Sequence, residues 1–118
     1  MELNRSETTQ IPVVELRQCP RFKLEVEIKV QSHSSGTLKG RTVDISESGI
    51  AAILTMELPL NEVVHLEFTL PNGLVEVEAL VRQRRAFRYG FQFVEGGPAR
   101  DRIAQACRKL SEQSSNRM

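Results

Sequence analysis

A small antiparallel β-barrel of six to seven strands, mainly β and followed by a C-terminal α-helix, is the fold this sequence predicts. Three observations carry that expectation. Apolar and charged residues alternate from Phe22 to Val30, and shorter runs repeat the same period of two with turn residues between them. A helical stripe appears only after Gly96-Gly97-Pro98. Strands of this number and length are best satisfied by closure, which removes exposed sheet edges.

Taken in order, residues 1–15 mix Ser, Thr, Asn, Glu and Pro without periodicity, apart from Ile11-Pro12-Val13-Val14, and read as a flexible N-terminal arm. Phe22, Leu24, Val26, Ile28 and Val30 then alternate with Lys23, Glu25, Glu27 and Lys29, a half-buried strand with one charged face. Gln31 to Gly36 is turn material. The next strand spans roughly Thr37 to Ser46 with Val43 and Ile45 inward, and after Ser48-Gly49 the run Ile50 to Leu54 forms another. Val64, Leu66, Phe68 and Leu70 mark a strand that Pro71-Asn72-Gly73 turns into its partner, Val75, Val77, Ala79 and Val81. The chain turns again around Arg84 to Arg88, and Tyr89 to Val94 is the last strand. Pro98 suits a first helical turn, where its missing N–H is no loss, and Ile103, Ala106, Cys107 and Leu110 fall at i, i+3, i+4 and i+7. The domain therefore reads as 16–112, with 113–118 as a disordered tail.

Bulk properties restrict the function. A chain of 118 residues, 26% charged and 40% hydrophobic, makes one globular core without disulfides or metal. A net charge of +1 argues against a broad electrostatic grip on nucleic acid. Cys19 and Cys107 are far apart, with no histidine at ligand spacing, so free thiols in a reducing compartment are expected rather than zinc. Neither a signal peptide nor an apolar run of about 18 residues is present, which points to a cytoplasmic protein without membrane insertion.

Two short motifs carry chemistry. In Arg17-Gln18-Cys19-Pro20-Arg21, Pro20 keeps the preceding residue out of the α region, so the segment is extended and its two guanidiniums lie within about 14 Å. Their planar forks match phosphate and the O6/N7 edge of guanine. In Asp44-Ile45-Ser46-Glu47-Ser48-Gly49, alternation places Thr42, Asp44 and Ser46 opposite Val43 and Ile45, on the outside of the barrel. A carboxylate there can accept from guanine N1–H and N2–H, and the hydroxyl can donate or accept. Gly49 offers either a turn conformation closed to other residues or room for a ligand. Each motif also has a plain reading, as solvated arginines and as turn formers bonding their own backbone. Their order, with an antiparallel hairpin returning the second towards the first, gives the pair its weight.

That order, the proline before the second arginine and the barrel pattern that follows resemble the PilZ domain, the bacterial receptor module for cyclic di-GMP. The resemblance covers about residues 15–112. The defining positions are met by Arg17, Arg21, Asp44, Ser46 and Gly49, and Tyr89-Gly90-Phe91-Gln92-Phe93 is similar to the family's final strand. It implies cyclic di-GMP held between the arginine loop and the outer barrel surface. Arg17 and Arg21 would grip phosphate and guanine, while Asp44, Ser46 and Gly49 receive guanine and ribose. Further contacts are expected from Leu16, Gln18, Cys19, Pro20, Arg84 and Arg85. In the family the residue before the first arginine bears on whether one or two ligand molecules bind, and Leu16 leans towards one. The arm would fold over the nucleotide and signal to a downstream protein that the sequence does not identify.

Arg82, Arg84, Arg85 and Arg88 form the densest basic stretch, read as a solvated hairpin in preference to further phosphate contacts or an acidic-partner surface. His33 and His65 read as surface residues, Cys107 as core, and Cys19 as a thiol between two arginines. No nucleophile–base pair or phosphate-cradling glycine loop points to an enzyme, and no resident cofactor is expected. The alternatives are a PilZ-like protein-interaction adaptor that does not bind nucleotide, and an oligonucleotide-binding barrel, which the scarcity of aromatic residues disfavours.

Overall fold

The structure, a computed structural model, describes residues 20–94 and 96–116, with side chains up to residue 112. The N-terminal arm 1–15, Leu16, Arg17, Gln18 and Cys19 lie outside the described residues. Among the described residues seven strands, β1 (Phe22–Lys23), β2 (Glu27–Ser32), β3 (Gly36–Ile45), β4 (Gly49–Leu54), β5 (Val63–Leu70), β6 (Gly73–Arg85) and β7 (Arg88–Phe93), precede the helix α1 (Pro98–Asn116). All neighbouring strands are antiparallel, in the order β1-β3-β2-β5-β6-β7-β4, and β4 pairs back onto β3. That last pairing closes six strands into a barrel and leaves β1 outside it as an extra strand on β3.

The alternating residues fill the interior as expected. Ile28, Val30, Leu66, Phe68, Val75, Val77, Val81, Phe91 and Phe93 belong to one buried cluster. Ile103, Ala106 and Cys107 extend this cluster from α1, which packs on β6 and β1. Burial on this scale contributes about 1.5–3 kcal/mol for each large apolar side chain. Tyr89 is fully buried, and its hydroxyl accepts the backbone N–H of Leu58 at 2.9 Å, so the polar end of the ring is satisfied inside the core. At the other hairpin the Asn72 side chain donates to the Arg102 carbonyl at 3.1 Å, and Arg102 donates back to the Asn72 carbonyl at 3.0 Å, tying the β5–β6 turn to the helix.

Three sequence expectations change. The strand expected from Phe22 to Val30 is broken into β1 and β2 at residues 24–26, although Leu24 keeps its inward phase. Thr42, expected on the outside, is buried, and Val43, expected inside, is only partly so. The helix continues to Asn116, past residue 112 where the expected domain ends. The first two changes share one cause, a β-bulge in β3, and that bulge positions the candidate site.

Candidate functional site

In the β3–β4 ladder Thr42 faces Ala52 and Asp44 faces Ala51, so Val43 is one residue too many for the partner strand. A bulge of this kind reverses the inward–outward phase beyond it. Before it Leu38 and Thr42 point inward; after it Ile45 does, and Asp44 is turned out. The break between β1 and β2 answers the bulge. The Thr42 hydroxyl donates to the Leu24 carbonyl and accepts the Val26 N–H at 2.9 Å, while the Val43 carbonyl accepts the Leu24 N–H at 3.1 Å. The polar groups freed by one irregularity are satisfied by the other, as buried backbone requires.

Asp44 faces outward with its side chain 22% exposed. Register places Lys23 of β1 opposite it, two residues after Arg21. Arg21 donates to Asp44 Oδ1 from Nε at 2.8 Å and from Nη2 at 2.7 Å, and its Nη1 lies 3.5 Å from Ser46 Oγ. The described end of the first motif, Arg21, therefore meets the second through side chains, crossing from just before β1 onto β3.

Ser46 is not on the open face. Its side chain is 0% exposed, and its Oγ accepts the N–H groups of Ser48 and Gly49, each at 3.2 Å. The Ser46 N–H donates to the Gly49 carbonyl at 2.8 Å. Ser46 thus builds the β3–β4 turn and reaches the site only through Arg21. Gly49 has a reason different from both alternatives drawn from the sequence. Its φ is not among the positive values, and a Cβ placed there would lie 2.3 Å from the Phe91 carbonyl oxygen of β7. Close approach of two backbones requires the glycine, and the Phe93 N–H then donates to the Ser48 carbonyl at 2.9 Å.

A residue outside both motifs joins the site. Arg88 of β7 reaches across β4, and its Nη2 lies 3.4 Å from Asp44 Oδ2. Composition does not separate it from the other arginines of 82–88; strand parity does, since Arg88, Gly90 and Gln92 share the face opposite the buried Tyr89, Phe91 and Phe93. Arg85 stands opposite Arg88 in register, whereas Arg84 stands opposite Tyr89 and pairs instead with Glu57 at 3.7 Å. Pro20 and Arg82 are exposed. His65 contacts Glu76 at 3.2 Å on the surface, and the His33 N–H donates to Glu62 at 2.9 Å. Among the described residues no group of three or more His, Cys, Asp or Glu side chains could hold a metal ion, and no helix is long and apolar enough to cross a membrane.

The arrangement is one outward carboxylate flanked by two guanidiniums on the outer face of the barrel. It suits an anionic ligand that also presents N–H donors to Asp44. The family model for the PilZ domain matches residues 15–109, and comparison with curated protein sequences yields no match. Among solved structures, the PilZ domain with c-di-GMP of YcgR from Escherichia coli is 16% identical with a TM-score of 0.69, covering 86% of this chain and 95% of that one. The PilZ domain of CeSA from a cellulose-synthesizing bacterium is 16% identical with a TM-score of 0.61, covering 80% and 98%. The Bacillus subtilis inhibitor of motility MotI/DgrA is 20% identical with a TM-score of 0.68, covering 82% of this chain and 51% of that chain.

Proposed function

The chain belongs to the PilZ domain family, and from that premise we propose that it is a bacterial cyclic di-GMP receptor or adaptor, cytoplasmic and without catalytic activity of its own. One observation carries the reading: Arg21 of the first motif is paired with Asp44 of the second on the outer barrel face and is bonded from behind by the buried Ser46. The same fold occurs in a YcgR domain described with c-di-GMP.

The chemistry follows from the side chains. Arg21 offers a fork to phosphate or to the guanine O6/N7 edge, and Asp44 accepts guanine N1–H and N2–H. Arg17 supplies the second fork, with Leu16, Gln18, Cys19 and Pro20 lining the same loop. Ser46 and Gly49 hold the turn that receives the ribose side. Exchanging the Arg21–Asp44 pair for the ligand is inexpensive, because an exposed ion pair contributes only about 0.2–1 kcal/mol. The arm at 1–15 then orders over the bound nucleotide and changes the surface offered to a downstream protein.

Isothermal titration with cyclic di-GMP, using GTP and cyclic di-AMP as controls, tests the reading. Saturable binding of cyclic di-GMP alone is expected, and Arg21→Ala should weaken it by roughly ten- to a hundredfold or more with the fold intact, the scale of lost charge-assisted hydrogen bonds. Affinity unchanged in Arg21→Ala would sink the assignment.

A further inference from the structure

We propose that the outer surface along β2 and β5 is a self-complementary interface, through which two copies of this chain pair about a twofold axis lying along the seam between those strands. The inference goes beyond the nucleotide reading and does not depend on it, since neither β2 nor β5 carries a residue of the candidate site.

The first observation is an order of charges. Read across the register, Lys39 of β3 stands opposite Lys29 of β2, Lys29 opposite Glu67 of β5, and Glu67 opposite Glu76 of β6. Lysine thus faces lysine and glutamate faces glutamate, and like charges directly opposite each other destabilise a ladder. The single chain does little to offset this. Among the described residues Lys29, Lys39 and Glu67 take part in no ion pair, while Glu76 pairs with His65 at 3.2 Å. Lys29, Lys39 and Glu67 also line one surface recess of about 350 Å³ together with Val26 and Leu74, so they open onto the same side of the barrel.

The second observation is that this order, two positive charges and then two negative ones, is its own complement when reversed. A twofold axis along the β2–β5 seam reverses the row in the second copy. Lys29 then meets Glu67 of the second copy and Lys39 meets its Glu76, each contact being made twice by symmetry. The neighbouring row, Thr37, Gln31, His65 and Glu78 in register, obeys the same axis. Gln31 meets His65 and Thr37 meets Glu78, which are hydrogen-bonding pairs with no like charges opposed. A twofold axis running along the first row would instead set Lys29 on Lys29 and Glu67 on Glu67, so the pattern selects one axis of the two. A net charge of +1 leaves little overall repulsion between copies. Two barrels touching along one seam make a small, polar interface, so the dimer is weak and sensitive to salt.

Sedimentation equilibrium of the full chain without nucleotide tests this, at about 0.01 M and 1 M salt, where the screening length falls from about 30 Å to about 3 Å. The wild type should form a reversible dimer at low salt that dissociates at high salt. Lys29→Glu and Glu67→Lys should each weaken the dimer about tenfold or more, because each sets like charges against one another twice. Mixed in equal amounts, the two variants should recover a heterodimer about as stable as the wild-type dimer, since each copy brings the charge the other lacks. Lys109→Glu, on the exposed face of α1, makes the same change of charge away from the seam and should associate as the wild type does. Should a thermal melt show either variant unfolded, Lys39→Glu and Glu76→Lys repeat the exchange from the outer ends of the row. A wild type that stays monomeric at low salt, an association that neither salt nor the paired substitutions weaken, or a mixture of folded variants that recovers nothing would each overturn the proposal. All three outcomes leave the nucleotide reading untouched.

Discussion

Single side chains at the site divide into those on the open barrel face and those that hold the first group in place. Asp44 and Arg21 are outward and paired with each other, while Ser46 and Gly49 are buried in the turn behind them. Gly49→Ala tests that division. Its Cβ would stand 2.3 Å from the Phe91 carbonyl oxygen, so β4 and β7 must separate locally. Overpacking of this kind costs about 1–3 kcal/mol, and a chemical denaturation curve should show that loss even without nucleotide. A variant as stable as the wild type would mean that Gly49 serves the ligand directly. At this scale the motif positions were legible because residue type and spacing carry them. Arg88 was not, because its partner is distant in sequence and sits two strands away.

Elements explain why some parts of the pattern were readable and others were not. Period-two alternation identified β2, β5, β7 and the Val75–Val81 part of β6, since each buries one face there, whereas Arg82 to Arg85 are exposed on both faces. It fails at Thr42 and Val43, because a bulge inserts one residue without leaving a mark in composition; only the pairing of three residues, 42–44, against two, 51–52, exposes it. Without the bulge Asp44 would point into the barrel. A loop carries a second device that sequence does not reveal, because its partners lie about 30 residues apart. The Glu62 carboxylate accepts from the hydroxyls of Ser32 at 2.7 Å and Ser34 at 2.8 Å, and from the N–H groups of His33 and Ser34. These bonds, the Ser32 hydroxyl foremost, hold its pKa below the ordinary 4.5. A lowered folded-state pKa contributes stability that is present above the ordinary value and is lost as pH falls through the lower, folded value. Acid titration of wild type against Glu62→Gln, followed by amide exchange in the 32–36 loop, should therefore show a loss of protection below pH 4.5 in the wild type only. Equal acid sensitivity in both proteins would remove Glu62 from that role.

For the whole molecule, closure of the barrel matters more than any single strand. The β3–β4 pairing completes the ring and also creates the turn on which Asp44, Ser46 and Gly49 stand, so fold and site are the product of the same ladder. The helix seals the core from β6 and β1, and β1 brings Arg21 to the outer face. Arg21 therefore reaches the second motif by strand addition outside the barrel, a placement that follows from topology and not from the hydrophobic pattern. A cyclic di-GMP site on this outer face should be visible in backbone amide resonances followed while cyclic di-GMP is added. Saturable shifts are expected at Arg21, Asp44 to Gly49 and Arg88 to Gly90, with the Glu62 loop unmoved. Shifts centred elsewhere on the barrel, or none with the folded spectrum intact, would contradict it.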